Sequence, residues 1–329
     1  MAILITGGTG FVGLNLAQEL SAIGEKVILM APKAMPLALQ NLLEELGVNY
    51  DFCSGSVSQV TDLNHICRHY GITKIVNAAA ITADQLREKD HTEEIMAVNL
   101  MGSLAVFETA LQNSIEQVIQ LSSGSIFGHL GTHDPQIDEL LSPVLPVTIY
   151  GISKLAAERA AIRYRQTRGL NVTTVRLGLV YGPWEYDSGH RDTLSLPLQL
   201  YWAAKNGEHI VVHDAVGTDY VYSRDVAVGL TKILVRGSSS QALYHLASGL
   251  TWPLSDWLVW LKQLFPLFSY EITSQLESCT IGQNGPLPRS PMRIARIKKD
   301  FDYQPQFHGK IAFDDFILHQ QQLNHLTSI

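Results

Sequence analysis

The chain has 329 residues, 46% hydrophobic and 17% charged, which excludes a disordered protein and allows a large core in about two lobes. The formal net charge is −7 and no Lys/Arg block interrupts it, which argues against a nucleic acid or an anionic membrane as partner. Three scattered cysteines, Cys53, Cys67 and Cys279, form no C-x-x-C and point to free thiols in a reducing, cytoplasmic compartment without structural zinc.

Met1 leads straight into the apolar run AILIT (2–6), with no basic segment or cleavage site, so a buried strand is expected and a secretory leader is not. Helical periodicity follows over 13–24, then a strand over 26–31 and a helix over 36–47. A strand at 49–55, a helix at 59–71 and a strand at 74–80 continue the alternation. A long helix at 93–113, a strand at 117–123, a helix from Tyr150 to about Thr167 and a strand at 171–178 complete it. Strands alternating with helices of this length predict an α/β fold with a doubly wound parallel sheet. Ligands of such sheets lie at the carboxyl ends of the strands.

The rhythm changes after YGPW (181–184), where Pro183, Gly189 and Pro197 open a second lobe with a helix near 195–206. Segments 219–234 and 242–249 read as a helix and strand that return to the sheet. In 253–268, Leu254, Trp257, Leu258, Leu261 and Phe265 fall at helical spacing, broken by Asp256 and Lys262, so a core helix is expected rather than a membrane span. The expected domains are 1–181 with the return segment 218–249, and a smaller mixed α/β substrate lobe from 182–217 and 250–329.

TGGTGFVG (6–13) places Gly7, Gly10 and Gly13 between the first strand and the first helix. Such a loop turns tightly, lets backbone approach a pyrophosphate, and offers helix N-terminal amides to it. In IYGISKLAAERA (149–160), Tyr150 and Lys154 stand one helical turn apart, on one face. A cation beside a phenol lowers its pKa and makes it a usable acid/base. His129 and His133 are four apart, but Gly128 and Gly131 disfavour a helix, so no metal site is expected.

Eight stretches in order resemble the extended short-chain dehydrogenase/reductase family of nucleotide-sugar epimerases and dehydratases. They are TGGTGFVG (6–13), NAAA (77–80), VNLMGS (98–103), LSSGSIFG (121–128), YGISK (150–154), RLGLVYGP (176–183), TDYVYSRDVA (218–227) and YHLASG (244–249). The resemblance implies a Rossmann fold, NAD or NADP as cofactor and a small-molecule substrate. In it Tyr150 is the general acid/base, Lys154 lowers the phenol pKa and bonds the nicotinamide ribose, and Ser123 polarises the substrate oxygen. Ser122 and Ser125 are neighbours open to the same assignment, and Ser125 is also a substrate-side candidate. Around the cofactor the resemblance places Gly7, Gly10, Phe11, Val12, Gly13, Ser56, Val57, Ala78, Ala79 and Ala80. Asn99 matches a family asparagine, with a cap or loop-binding role equally open. A homodimer is implied through the long helix, with Leu104, Phe107 and Leu111 on an apolar face.

The departures bear on specificity. The second strand ends in LMAPKAM (29–35), with Ala31 where NAD-binding members place an acid. Lys33 is then either a partner for a 2′-phosphate or a solvated loop lysine. The usual Gly-Asp after the third strand is Gly55–Ser56. The acid pair that dehydratases carry after the catalytic hydroxyl is Gly124–Ser125, which disfavours dehydration. The diphosphate-holding Arg is replaced by Thr218, which argues against a nucleotide-diphosphate sugar unless another Arg substitutes, as Arg289 could. Arg191 is a candidate for a substrate carboxylate or phosphate, or else a surface residue paired with Asp187 or Asp192. Thr82 is a further substrate-side candidate, and His129 a weak one for an extra acid/base. The expected activity is NAD(P)-dependent oxidation or reduction of a secondary alcohol on a sugar-like or polyhydroxylated substrate. The alternatives are a sugar 4-epimerase and a catalytically inactive regulatory module.

Overall fold

The structure is a computed structural model and describes residues 2–132, 135–214, 219–282 and 289–327. His133 and Thr218 lie outside the described residues. Eleven strands are described: β1 (Ala2–Thr6), β2 (Lys26–Ala31), β3 (Tyr50–Ser54), β4 (Ile72–Asn77), β5 (Gln117–Ser123), β6 (Val172–Leu177), β7 (Leu179–Tyr181), β8 (His209–His213), β9 (Tyr220–Tyr222), β10 (Leu243–Leu246) and β11 (Ser269–Thr273). Helices α1 (Phe11–Ala22), α2 (Leu37–Glu45), α3 (Val60–Tyr70), α4 (Gln85–Asp90), α5 (Thr92–Met96) and α6 (Gly102–Gln112) fall in the first half. Then come α7 (Ile149–Arg168), α8 (Leu196–Lys205), α9 (Ser223–Arg236), α10 (Leu254–Leu264), α11 (Ala295–Phe301) and α12 (Gly309–Thr327).

Seven strands form one parallel sheet in the order β10-β6-β5-β4-β1-β2-β3. This is the expected doubly wound sheet, and the order reverses between β1 and β4. Alternate residues of β1 serve opposite faces: Ile3 and Ile5 join one core cluster, Ala2 and Leu4 another. Helices α3, α6 and α7 cover the second cluster through Leu63, Ile66, Phe107 and Ala161. Helices α1, α2 and α9 cover the first through Leu14, Leu39 and Leu230.

A third, aromatic-rich cluster gathers Tyr181, Tyr222, Trp252, Trp257, Phe268 and Phe316 beneath the smaller two-stranded pairs. The stretch 250–329 divides its packing. Trp257 and Phe316 join this third cluster, whereas Met292, Ile297, Phe301 and Tyr303 join the core under the main sheet.

Two elements differ from the sequence expectation. The expected strand at 74–80 begins at Ile72 and ends at Asn77. Beyond it, Ala78 N–H still reaches the Thr6 carbonyl at 3.2 Å, and the chain passes so close to Gly7, with φ +64°, that a Cβ there would lie 2.7 Å from Ala79 Cα. The expected helix at 93–113 is interrupted by a π-helical turn, Ala97–Met101, between α5 and α6. Such turns often sit at functional sites, and this one carries Asn99. The stretch Thr92–Gln112, not the 253–268 tract weighed above, has the length and composition of a membrane span, but 44% of that window is buried in the fold.

Candidate active site

The loop after β1 sits at the point where the strand order reverses. Gly10 N–H donates to the Gly7 carbonyl at 2.9 Å, and Gly8 N–H to the Met30 carbonyl at 3.0 Å. A Cβ on Gly13 would fall 2.6 Å from the Gly8 carbonyl oxygen, so α1 packs against its own loop only because position 13 is bare. No side chain caps the N-terminus of α1, which leaves its first amides to an external anion. Thr6 Oγ1 donates to Asn77 Oδ1 at 2.6 Å, and Asn77 Nδ2 to Gln120 Oε1 at 2.8 Å, locking the ends of β1, β4 and β5 together. A bare, uncapped cradle at a strand-order reversal fits a dinucleotide phosphate.

Beside this cradle, β2 ends in Ala31 with Pro32 and an exposed Lys33 beyond it. Ser56 is held by its own amide, which donates to Asp62 Oδ2 at 3.1 Å. Val57 is buried against Gly102, where a Cβ would meet its Cγ2 at 2.6 Å.

At the end of β5 successive serines face opposite ways. Ser122 is buried and donates to Glu158 Oε2 at 3.0 Å. Ser123 is half-buried, and its Oγ accepts from Ser125 N–H at 3.1 Å and lies 3.2 Å from Ser125 Oγ. The geometry therefore separates Ser123 and Ser125 from Ser122, whose hydroxyl belongs to a buried ion pair.

Tyr150 lies in the first turn of α7. Thr148 caps this helix, its Oγ1 accepting from Gly151 N–H at 3.0 Å. Tyr150 N–H donates to Glu88 Oε1 at 3.2 Å, an anchor not anticipated from sequence. A Cβ on Gly151 would lie 2.8 Å from the Ser125 carbonyl, so the turn carrying Tyr150 rests on the serine loop. Lys154, one turn on, is buried and donates from Nζ to the Leu121 carbonyl at 2.8 Å. Burial pulls its pKa down to about 8.

Asn99 is fully buried. Its Oδ1 accepts from Ile81 N–H at 2.8 Å, and its Nδ2 donates to the Ile81 carbonyl at 3.0 Å and to Ser153 Oγ at 3.0 Å. That is the loop-binding geometry: Asn99 ties the segment after β4 to α7.

Arg289 is buried, and a Cβ on Gly124 would lie 2.9 Å from its Cζ. It thus fills the space beside the residue following Ser123. Its charge is felt by Asp219, Tyr150 and Tyr220. Asp219 is also buried, and desolvation raises its pKa to about 7 despite Arg289 and a bond from Met292 N–H at 3.3 Å.

Arg191 forms its ion pair with the fully buried Glu185 at 3.3 Å, while Asp192 pairs with Arg87 at 2.9 Å. The paired aspartates weighed for Arg191 are therefore otherwise engaged: Asp187 Oδ1 accepts from Gly189 N–H at 2.9 Å. Thr82 bridges to Arg191 in β fashion. His129 is exposed on the 3-10 stretch Gly124–Thr132. A cavity of about 610 Å³ opens beside this region, lined by Arg87, His91, Glu94, Asp187 and Arg191 among others.

Sequence reasoning missed Glu88 and Glu158, and gave no role to Glu185 or Asp219. A signal existed for Glu158, since Arg176 is a charge inside a buried strand and needs a buried partner.

The family model described as "NAD dependent epimerase/dehydratase family" matches residues 3–247. UDP-glucuronate 4-epimerase 2 of Arabidopsis thaliana is 23% identical over 96% of this chain and 75% of its own length. The structure of UDP-glucose 4-epimerase from Thermotoga maritima with UDP-glucose superposes with a TM-score of 0.81 at 20% identity, covering 98% of this chain and 99% of that one. That of dTDP-glucose 4,6-dehydratase from Bacillus anthracis in complex with NAD gives 0.79 at 20% identity, covering 99% and 98%.

Proposed function

Because this chain belongs to the NAD dependent epimerase/dehydratase family, whose members are NAD(P)-dependent enzymes, we propose that it removes hydride at one secondary alcohol of a nucleotide-linked sugar and returns it to the opposite face of the resulting ketone, inverting that carbon. The observation that supports inversion over dehydration is the loop after Ser123. Gly124 has no side chain, Ser125 is neutral, and the space beside Gly124 is taken by the Arg289 guanidinium. Elimination of water needs a further acid/base pair there.

The bound dinucleotide supplies a hydride acceptor that becomes the donor on return. The rest falls to side chains. Ser123 Oγ hydrogen-bonds the reacting oxygen. Tyr150 takes the hydroxyl proton as the C–H bond breaks and gives it back when the ketone is reduced. The Lys154 ammonium favours the phenolate. Asn99 positions the segment after β4 against α7, and Arg289 holds the serine loop from behind.

The test is to incubate the NAD+-supplemented protein with UDP-glucuronate and with UDP-glucose. Formation of the 4-epimer with no net rise in reduced nicotinamide is expected. Accumulating NADH with an oxidised sugar would move the assignment to a dehydrogenase. Turnover of neither sugar would overturn the substrate class.

We further propose a cytoplasmic homodimer. Met101 and Ile152 are exposed and Leu104 and Leu111 half-buried on α6, α7 and the π-helical turn, whereas Phe107 is spent in the core. Sedimentation as a single 36.4 kDa chain would overturn the dimer, and recovery in membranes would overturn the compartment.

A further inference from the structure

Residues 184–195 lie as a strap between the two loops that flank the reversal of strand order. On one side Tyr186 Oη donates to the Thr9 carbonyl, inside the glycine-rich loop, at 2.8 Å. On the other side Thr82 N–H donates to the His190 carbonyl at 2.8 Å, and Asp192 N–H to the Thr82 carbonyl at 3.1 Å. Asp192 is fixed in turn by Arg87 at 2.9 Å and by Asp84 N–H at 3.1 Å.

Arg191 is the cation this strap carries to the cradle. Its guanidinium lies 5.6 Å from the ring centroid of Phe11, the first residue of α1. It is held in place from behind, with Nε donating to the Thr193 carbonyl at 3.0 Å and Nη2 3.3 Å from Glu185 Oε1. Glu185 is itself fully buried and also accepts from Ser195 N–H at 2.7 Å. Burying this carboxylate is tolerable only because Arg191 and the Ser195 amide and hydroxyl satisfy it, which ties the Arg191 guanidinium to one place. The guanidinium has five N–H donors, and the two nitrogens engaged leave donors over. Its side chain keeps 27% exposure, so it is open to a ligand. The loop TGGTGFVG contributes no cation, and the chain carries a net charge of −7. The first amides of α1 can receive a pyrophosphate on their own, and the strap places a cation beside them that the loop itself lacks.

We propose that Arg191 is a phosphate ligand of the dinucleotide, and that the strap carrying it latches the cofactor in its cleft. This rests on the family's use of a dinucleotide at the glycine-rich loop, not on which sugar is turned over. Arg191 is thereby moved from the substrate side to the cofactor side of the site.

The test is calorimetric binding of NAD+, and separately of UDP as a substrate-side probe, to the full chain freed of carried cofactor. Arg191→Met is expected to weaken NAD+ binding by about tenfold to a hundredfold, the worth of charge-assisted bonds, and to leave UDP affinity unchanged. Arg191→Lys is expected to fall between, and it serves alone if the Met variant fails to fold. NAD+ affinity within about twofold of the parent would overturn the proposal. Loss of UDP binding with NAD+ binding intact would return Arg191 to the substrate. Because neither readout requires turnover, failure here is distinguishable from failure of the epimerase assignment.

Discussion

Tyr150→Phe is expected to lower kcat by about 10²–10⁴-fold, the range for removal of a positioned acid/base, while folding normally. The substitution keeps the ring and removes only the hydroxyl. The bonds that set the residue in place are main-chain ones: its N–H donates to Glu88 and its carbonyl accepts from Ser153 Oγ at 2.8 Å. Single-turnover conversion of a nucleotide sugar, followed by product analysis, reads the chemical step directly. Parent-like turnover would remove Tyr150 from the mechanism. A second variant separates a chemical role from a packing role. Lys154→Met deletes the cation one turn away, and is expected to lower turnover and to remove the change in turnover near pH 8 at which the buried ammonium loses its proton. If Lys154 were purely structural, its replacement would lower the amplitude of the pH profile and leave its shape near pH 8 in place.

How much of this was legible in the sequence depends on how local the cause is. The parallel sheet was readable because each strand is a short apolar run ended by a turn signal, and the glycine-rich loop because its spacing is contiguous. Tyr150 and Lys154 were readable because i and i+4 share a helix face. What failed was set by contacts across the chain. Ala78–Ala80 continue an apolar strand pattern, yet the strand ends at Asn77, where the chain passes close to Gly7, 71 positions before Ala78. The π-helical turn at Ala97–Met101 has no local signal, since it brings Asn99 onto the Ile81 backbone. Arg191 stood open between a substrate anion and a surface pairing with Asp187 or Asp192. Its partner is Glu185, six positions back and folded beneath it. The motif favoured Ser123 and left Ser122 open, and the pleat of β5 separates them by sending alternate side chains to opposite faces.

Glu158→Ala is expected to cost about 3–5 kcal/mol of stability, because it strands a buried guanidinium. Arg176 Nη2 lies 2.7 Å from Glu158 Oε1 and Nε 2.9 Å from Oε2, a two-pronged pair with side chains 2% and 0% exposed. The surrounding groups offer little in compensation. Arg176 Nη1 reaches the Glu139 carbonyl at 3.1 Å, Phe127 stacks at 5.2 Å, and His245 is held neutral by burial, its pKa pushed down to about 3. Urea unfolding of the parent and the variant measures the loss, with the exposed i,i+4 pair Lys310–Asp314 as control, for which Asp314→Ala is expected to cost no more than about 0.5 kcal/mol. A cost below about 1 kcal/mol for Glu158→Ala would show that water enters and rescues Arg176, contrary to the dry geometry. The double variant Glu158→Leu with Arg176→Met is expected to regain most of the stability, since an apolar pair of similar volume avoids desolvation altogether. Turnover should not return with it. Glu158 also accepts from Ser122, the residue before Ser123, and lies one turn beyond Lys154 on α7. The pair therefore fixes the serine strand against the helix bearing Tyr150 and Lys154, and an apolar replacement restores packing without restoring that registration.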